Sequence, residues 1–346
     1  MVGINKKVSA ASARAHTRKR KQNSGLQLPM GMCKTISLVG LMVFVAFAYQ
    51  AIQPPAPKIC GSPDGPPITA PRVKLSDGRH LAYKEHGVPK DEAKYKIVYI
   101  HGFDSFRLNP MPLSQELAEE LGIYMVSFDR AGYGESDPNP KRTDKSTALD
   151  VEELADQLGL DTGGLAVNYW WPGFPAKLAK EGYALQRVQD QWTLRVSHYA
   201  PFLTYWWNTQ KWFPGSSVVS RVIDIFSKQD IELIPRLLAG GRTQITQQGE
   251  SVSLFSDMNV AFGGYTFDPM DLENPFSNNE GTVHLWHGDE DLLVQVCLQR
   301  YIVEKLPWIQ YHELAGAGHL FPYADGMNDI GRVHTMCHSS GTLTRR

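Results

Sequence analysis

Cysteine is scarce in this chain. Cys33, Cys60, Cys297 and Cys337 are the only four in 346 residues. They are too few and too scattered for a disulfide framework or a zinc knuckle, and they read as isolated thiols. No histidine spacing suits a metal either: His284, His287 and His312 read as strand residues. Acidic residues are missing from one whole region. Residues 1–35 hold eight basic residues and no acid, although the chain as a whole carries a net charge of only -1. The remainder is therefore acidic, with 27 basic against 36 acidic residues. The basic head is set apart from an acidic body. Nothing aromatic or folded accompanies the Arg18 to Lys21 cluster, so no nucleic-acid partner is expected.

What is present is ordinary for a globular protein: 42% hydrophobic and 21% charged residues. The length suits one large α/β domain with an insertion, or two domains. Residues 36–52 carry no formal charge and run Ile-Ser-Leu-Val-Gly-Leu-Met-Val-Phe-Val-Ala-Phe-Ala-Tyr-Gln-Ala-Ile. This is slightly short of the ~20 residues a membrane span needs, and Lys34 can snorkel to lengthen it. Basic residues before it favour a cytosolic N-terminus and a single-pass signal anchor. A cleaved signal ending near Ala46-Phe47-Ala48, for a secreted body, and an organelle transit peptide are the alternatives. Residues 53–71 are rich in Pro and Gly and read as a linker to the body at residues 72–325.

The body opens with short strands at Arg72–Leu75 and His80–His86 around the turn Ser76-Asp77-Gly78. A buried strand at Ile97–Ile100 ends in His101-Gly102-Phe103. A helix at Met111–Leu121 follows. A second buried strand then ends in Asp129-Arg130-Ala131-Gly132-Tyr133-Gly134-Glu135-Ser136. This is one β-α-β unit of a mostly parallel sheet. Gly132 and Gly134 are turn glycines, and Ser136 reads as a turn hydroxyl. Ser146–Leu158 is an amphipathic helix with Leu149, Leu154 and Leu158 near one face and Gly159 as its C-cap. Residues 169–276 look like an insertion, and six of the eight tryptophans lie between Trp170 and Trp212. The sheet resumes with a buried strand at Thr282–Trp286, followed by His287-Gly288-Asp289-Glu290-Asp291. Val296–Leu306 is helical and Gln310–Leu314 is the last strand. Ala315-Gly316-Ala317-Gly318-His319 closes it. Residues 326–346 are polar and read as an irregular tail.

The His-Gly turn and the Asp-Arg-x-Gly-x-Gly-x-Ser motif together resemble the α/β-hydrolase superfamily, in particular its plant-type, membrane-anchored proteins with an aromatic cap. The resemblance implies an α/β fold, acyl-ester hydrolysis by a Ser-His-Asp triad, no cofactor and a lipophilic small-molecule ester as substrate. It makes His319 the general base and Asp291, rather than Asp289, the acid that orients it. It also makes the backbone N–H of Phe103 one oxyanion-hole donor.

The same resemblance exposes a gap. After the Ser146–Leu158 helix the family places a strand, the nucleophile elbow Gly-x-Ser-x-Gly, a helix and another strand. Residues 159–167 are nine in number, where a strand–helix–strand unit takes about 30 or more. No Gly-x-Ser-x-Gly occurs anywhere in the chain. An internal deletion accounts for this simply. Gly159-Leu160-Asp161-Thr162-Gly163 does match Gly-x-Asp-x-Gly, and relatives that open epoxides attack with such an Asp. An elbow needs a preceding buried strand, however, and here a polar helix precedes it, so Asp161 is a weak candidate nucleophile. The expected fold is therefore an α/β-hydrolase fold that lacks its central strand and elbow helix. The expected function is that of a hydrolase scaffold without its Ser, or of a non-catalytic small-molecule binding protein built on one.

Overall fold

A computed structural model describes residues 30–158, 168–238, 242–264, 268–276, 278 and 282–325. The chain divides after Ala51 into two units. The described part of the first is a helix, Met30–Ile52, whose described apolar side chains are exposed except for the half-buried Ala48 and Ile52. Its segment Met32–Ile52 has a mean hydropathy of 2.0 and is long and apolar enough to cross a membrane. The expected span is thus the C-terminal part of a longer helix.

The second unit is mixed α/β. Its strands are β1 (Arg72–Lys74), β2 (His80–Gly87), β3 (Tyr95–Ile100), β4 (Ile123–Phe128), β5 (Val283–Gly288) and β6 (Ile309–Leu314). One sheet has the order β1-β2-β4-β3, and β5 and β6 form a second. β1 and β2 are antiparallel and meet at the Ser76–Gly78 turn, where Gly78 takes φ 91°. β3 and β4 pair in parallel from Tyr95↔Ile123 to Ile100↔Phe128, the crossover expected of a β-α-β unit. The helix between them is shorter than its sequence suggests. It spans Gln115–Leu121, because Pro110 and Pro112 keep the chain extended and the Ser114 hydroxyl caps the Leu117 N–H at 3.2 Å. Gly122 ends it at φ 67°.

Every residue of β4 is buried. β3 and the first four residues of β5 are only half-buried or exposed, although both strands read as buried in the sequence. The reason is topological. Among the described residues β3 pairs only with β4, and β5 only with β6, so each ends its sheet.

The helix after β4 runs Asp144–Leu158 and packs Val151, Leu154 and Leu158 on Val73, Leu81, Val126 and Phe128. Leu149 is exposed instead. Five residues before Leu154, it sits about 140° around the helix and cannot share that face. Gly159 and the rest of residues 159–167 lie outside the described residues, as does the tail at 326–346.

The Pro/Gly-rich stretch before β1 is not a free spacer. Lys58 N donates to Gln248 O at 2.9 Å, and Cys60 N to Gln248 Oε1 at 3.0 Å. Thr69 N and Ala70 N both donate to the Glu135 carboxylate. Between β4 and β5 the described cap holds helices Ala176–Leu185, Val188–Tyr199, Thr204–Thr209, Lys228–Leu238 and Ser256–Phe262. Among the described residues Cys33, Cys60 and Cys297 form no disulfide.

The edge of β3 that no described strand pairs with has a measurable signature. In a parallel ladder alternate amides point to opposite neighbours, so only every second amide of Tyr95–Ile100 is protected by β4. Hydrogen exchange is expected to alternate fast and slow along β3. Uniform protection there would mean that another strand covers the edge.

Candidate functional site

The site is best built outward from the end of β5. The strand runs into Gly288, whose Cβ position is occupied by the Ala317 carbonyl, so only glycine lets the two following loops approach. The turn Gly288-Asp289-Glu290-Asp291 places Asp291 inward and nearly buried. Its Oδ1 accepts from Leu293 N at 2.8 Å and from Val294 N at 2.9 Å. Its Oδ2 lies 2.9 Å from His319 Nδ1. Asp289 takes a different role and accepts from Gly316 N at 2.7 Å.

His319 follows β6 and is held from a second side. Asp230 is fully buried and accepts from His319 N at 3.0 Å and from Leu320 N at 2.6 Å. Asp230 is itself fixed by a reciprocal cap at the start of the Lys228–Leu238 helix. Ser227 N donates to its carboxylate, and Asp230 N donates to Ser227 Oγ. A Cβ at Gly318 would overlap both Ser227 Oγ and the Asp230 carboxylate. The imidazole is therefore positioned by its backbone from Asp230 and by its ring from Asp291.

The electrostatics follow from this. Burial disfavours the charged imidazole, but the hydrogen bond and charge of Asp291, with Asp230 behind it, raise the His319 pKa above its ordinary 6.5. Burial likewise opposes ionisation of Asp291, yet His319 and the two backbone donors bring its carboxyl below 3.8. His287 lies nearby, with Nε2 3.8 Å from Asp291 Oδ2 and 3.0 Å from Val294 O. Burial lowers its pKa, so it sits there as a neutral neighbour.

On the other sheet, β3 runs into His101-Gly102-Phe103. His101 is buried, and its Nε2 accepts from Arg130 N at 3.0 Å. Nδ1 then carries the proton and donates to Gly102 O at 2.8 Å. Burial and the Arg130 charge hold this ring neutral, well below 6.5. His101 thus staples the turn and is not a second base. Phe103 packs against the Phe106, Tyr133, Ile245 and Leu254 cluster, and Asp104 after it takes φ 52°. The turn and the His319 loop are linked by Tyr323. Its hydroxyl lies 2.8 Å from Tyr99 Oη on β3 and donates to Asn109 O at 3.1 Å.

Ser136 is no nucleophile. It is fully buried, accepts from Ala82 N and donates to Asp129 O. Asp161 lies outside the described residues. Among the described residues no Ser, Thr or Cys side chain is hydrogen-bonded to His319. None of them forms a group of three or more His, Cys, Asp and Glu able to hold a metal. Asp230, Tyr323 and the stapling role of His101 escape a reading of the sequence. Ser227-x-x-Asp230 was the one legible signal, as a capping box, but not its reach to His319.

The strands β1 to β4, the acid after β5 and the histidine after β6 come in the order of an α/β-hydrolase core. The fold is of the α/β-hydrolase type. No family model and no curated protein matches the chain. Solved structures similar to it include a thermophilic esterase from Thermogutta terrifontis, at 19% identity and TM-score 0.43, over 78% of this chain and 98% of that one. An esterase from a Rhodococcus species shares 14% identity at TM-score 0.48, over 79% and 100%. An α/β hydrolase fold protein from Chitinophaga pinensis shares 17% at TM-score 0.48, over 78% and 98%.

The pair's pH dependence has a definite sign. His319, raised when folded, adds stability that is complete below 6.5 and is lost as pH rises through its folded value. Asp291, depressed when folded, adds stability that is complete above 3.8 and is lost as pH falls. The pair thus stabilises most between these limits. NMR titration of the His319 ring is expected to give a pKa above 6.5, and Asp291→Asn to lower it, because the hydrogen bond and charge of Asp291 are then removed. An unchanged value in the variant would remove Asp291 from the site.

Proposed function

We propose that the chain is a scaffold of the acyl-ester hydrolase lineage that retains the base and acid of a Ser-His-Asp triad and lacks the nucleophile. The single observation that carries this is the Asp291–His319 pair, held at 2.9 Å in a chain with no Gly-x-Ser-x-Gly. In such a triad the base takes a proton from the Ser hydroxyl, and the acid fixes its tautomer. Here Asp291 binds Nδ1, so Nε2 faces the position a hydroxyl would take. Without a hydroxyl, His319 can at most activate a water. The Phe103 N–H would serve as one oxyanion donor. The second donor, the N–H after the nucleophile, belongs to the elbow and is lost with it.

A triad stripped of members keeps about 10³–10⁴-fold catalysis over water only when the oxyanion hole and pocket survive. The chain is therefore expected to take no label from a serine-directed fluorophosphonate and to turn over short aryl esters negligibly. Inserting a strand–elbow–helix–strand segment of about 35–45 residues between Leu160 and Val167 is expected to restore both, since on this reading a crossover of that size is what the sheet lacks. His319→Ala should abolish the restored activity. Turnover by the chain as it stands, lost in Asp161→Asn with the fold intact, would replace this reading with a carboxylate nucleophile.

A second reading, a non-catalytic binder of a lipophilic small molecule, is favoured by the cap. There Trp170 stacks on His198 at 4.3 Å and meets Tyr183 edge-on at 5.8 Å. Saturable binding of an aromatic ester without its hydrolysis would favour it.

We also place the body on a membrane through the Met30–Ile52 helix, with the basic head on the cytosolic side. The full chain is expected to stay in the pellet on carbonate extraction. Release into the soluble fraction would count against the anchor.

A further inference from the structure

The cap helix Val188–Tyr199 is amphipathic in the wrong sense. Its inward face buries Thr193, Leu194 and Ser197. Its outward face carries Val188, Trp192, Arg195 and Tyr199, spaced as i, i+4, i+7 and i+11. Val188 is 71% exposed, Trp192 50% and Tyr199 70%. The polar inner residues are satisfied: Thr193 Oγ1 donates to Gln189 O at 3.0 Å and accepts from Trp207 Nε1 at 3.2 Å. The helix is therefore locked with its aromatic stripe outward.

A second element extends the same character. Trp212 is 77% exposed and Phe213 56%. Their loop is built, not frayed. Gln210 Oε1 accepts from Trp212 N at 2.6 Å and Phe213 N at 2.8 Å, while its Nε2 donates to Trp207 O and Phe213 O. Trp207 stacks on Phe213 and lies 6.3 Å from Trp192, so loop and helix form one patch. Arg195 rests over the rings of Trp192 and Tyr183, each at 5.2 Å. Exposed Trp and Tyr with an Arg among them is the composition of a bilayer interface, where the rings lie among headgroups and the cation reaches phosphate. Contiguous apolar patches on a soluble surface mark an interaction site.

We propose that this face of the cap docks on the headgroup region of a phospholipid bilayer. The occupant follows from the chain's own connectivity, and the proposal rests on reading Met30–Ile52 as an anchor. That helix ends at Ile52, and the body is already fixed at Lys58 through Gln248. The chain between them can reach only about 20 Å. Gln248 leads directly into Ser251–Phe255 and the Ser256–Phe262 helix. That helix packs on Val188–Tyr199, and Phe255 meets Tyr205 edge-on at 5.7 Å. The tether thus joins the body eight residues before the helix that packs behind the aromatic face.

Tryptophan fluorescence tests this without interference from the anchor, because all eight tryptophans lie between Trp170 and Trp308. The full chain is reconstituted in phosphatidylcholine vesicles whose acyl chains are brominated. Quenching is expected, and the double variant Trp192→Ser, Trp212→Ser is expected to lose at least half of it while six tryptophans remain. A Glu116→Trp probe added to that variant, on the Gln115–Leu121 helix outside the cap, should restore none. Three results would overturn the proposal: no quenching in protein that floats with the vesicles, quenching that the double variant leaves unchanged, or quenching regained through Glu116→Trp. A second copy covering the face would appear as the first of these. Failure to float overturns the anchor itself and the docking with it, so the two failures are told apart.

Discussion

Much of the body hangs on one buried carboxylate, Asp129 at the end of β4. It is wholly enclosed, and a charge there is tolerable only if every lone pair is used. Arg107 supplies its backbone N–H at 2.7 Å and an ion pair from its guanidinium, and Glu135 N donates at 2.9 Å. Gly134 is required because a Cβ there would overlap this carboxylate. The other arm of Arg107 binds Glu135 at 2.6 Å. Glu135 in turn receives Thr69 and Ala70, which ties the N-terminal stretch to the body. One step along the chain, Arg130 N fixes His101, and the Arg130 side chain joins Arg142 on Asp257. The turn that would carry an oxyanion donor is therefore held by a charge network that begins below it.

The histidine loop has its own, independent support. Asp230 fixes the backbone of His319 and Leu320, while Asp291 fixes the ring. Neither contact crosses the gap between the two sheets. Only the Tyr99–Tyr323 hydroxyl pair and the Asn109 carbonyl do so among the contacts described above. The base and acid thus take their geometry from their own loops and from Asp230, and not from β3 or β4. Each half of the site is stapled to its own sheet.

How much of this was legible in the sequence follows from the range of each interaction. The Asp-Arg-x-Gly-x-Gly-x-Ser motif, the acid at Asp291 and the base at His319 announce themselves because turn geometry is local. β4 was legible for the same reason. The half-burial of β3 and β5 was not, because burial of a strand depends on its neighbours, and among the described residues each of those two strands has a partner on one side only. Leu149 misled because leucine at an approximate helical spacing looks buried until the angle is counted. Asp257 and Asp230 were invisible as partners. Their mates lie 127 and 89 residues away, and a lone Asp in a helix is usually a solvated one.

The same distinction bears on what a lost segment costs in chemistry. Orientation is carried by short-range hydrogen bonds, so the Asp291–His319 pair is retained with its raised imidazole pKa. Nucleophilicity is carried by one hydroxyl on a strained elbow, and that elbow needs a strand, a turn and a helix N-terminus together. Such a feature is either wholly present or wholly absent, whereas the acid–base pair degrades only with its own loops. A hydrolase scaffold that loses its elbow therefore passes in one step from catalysis to an oriented but idle base. An imidazole held above 6.5 is then protonated over a wider pH range than a free one, which favours an anionic partner over a proton donor at that position.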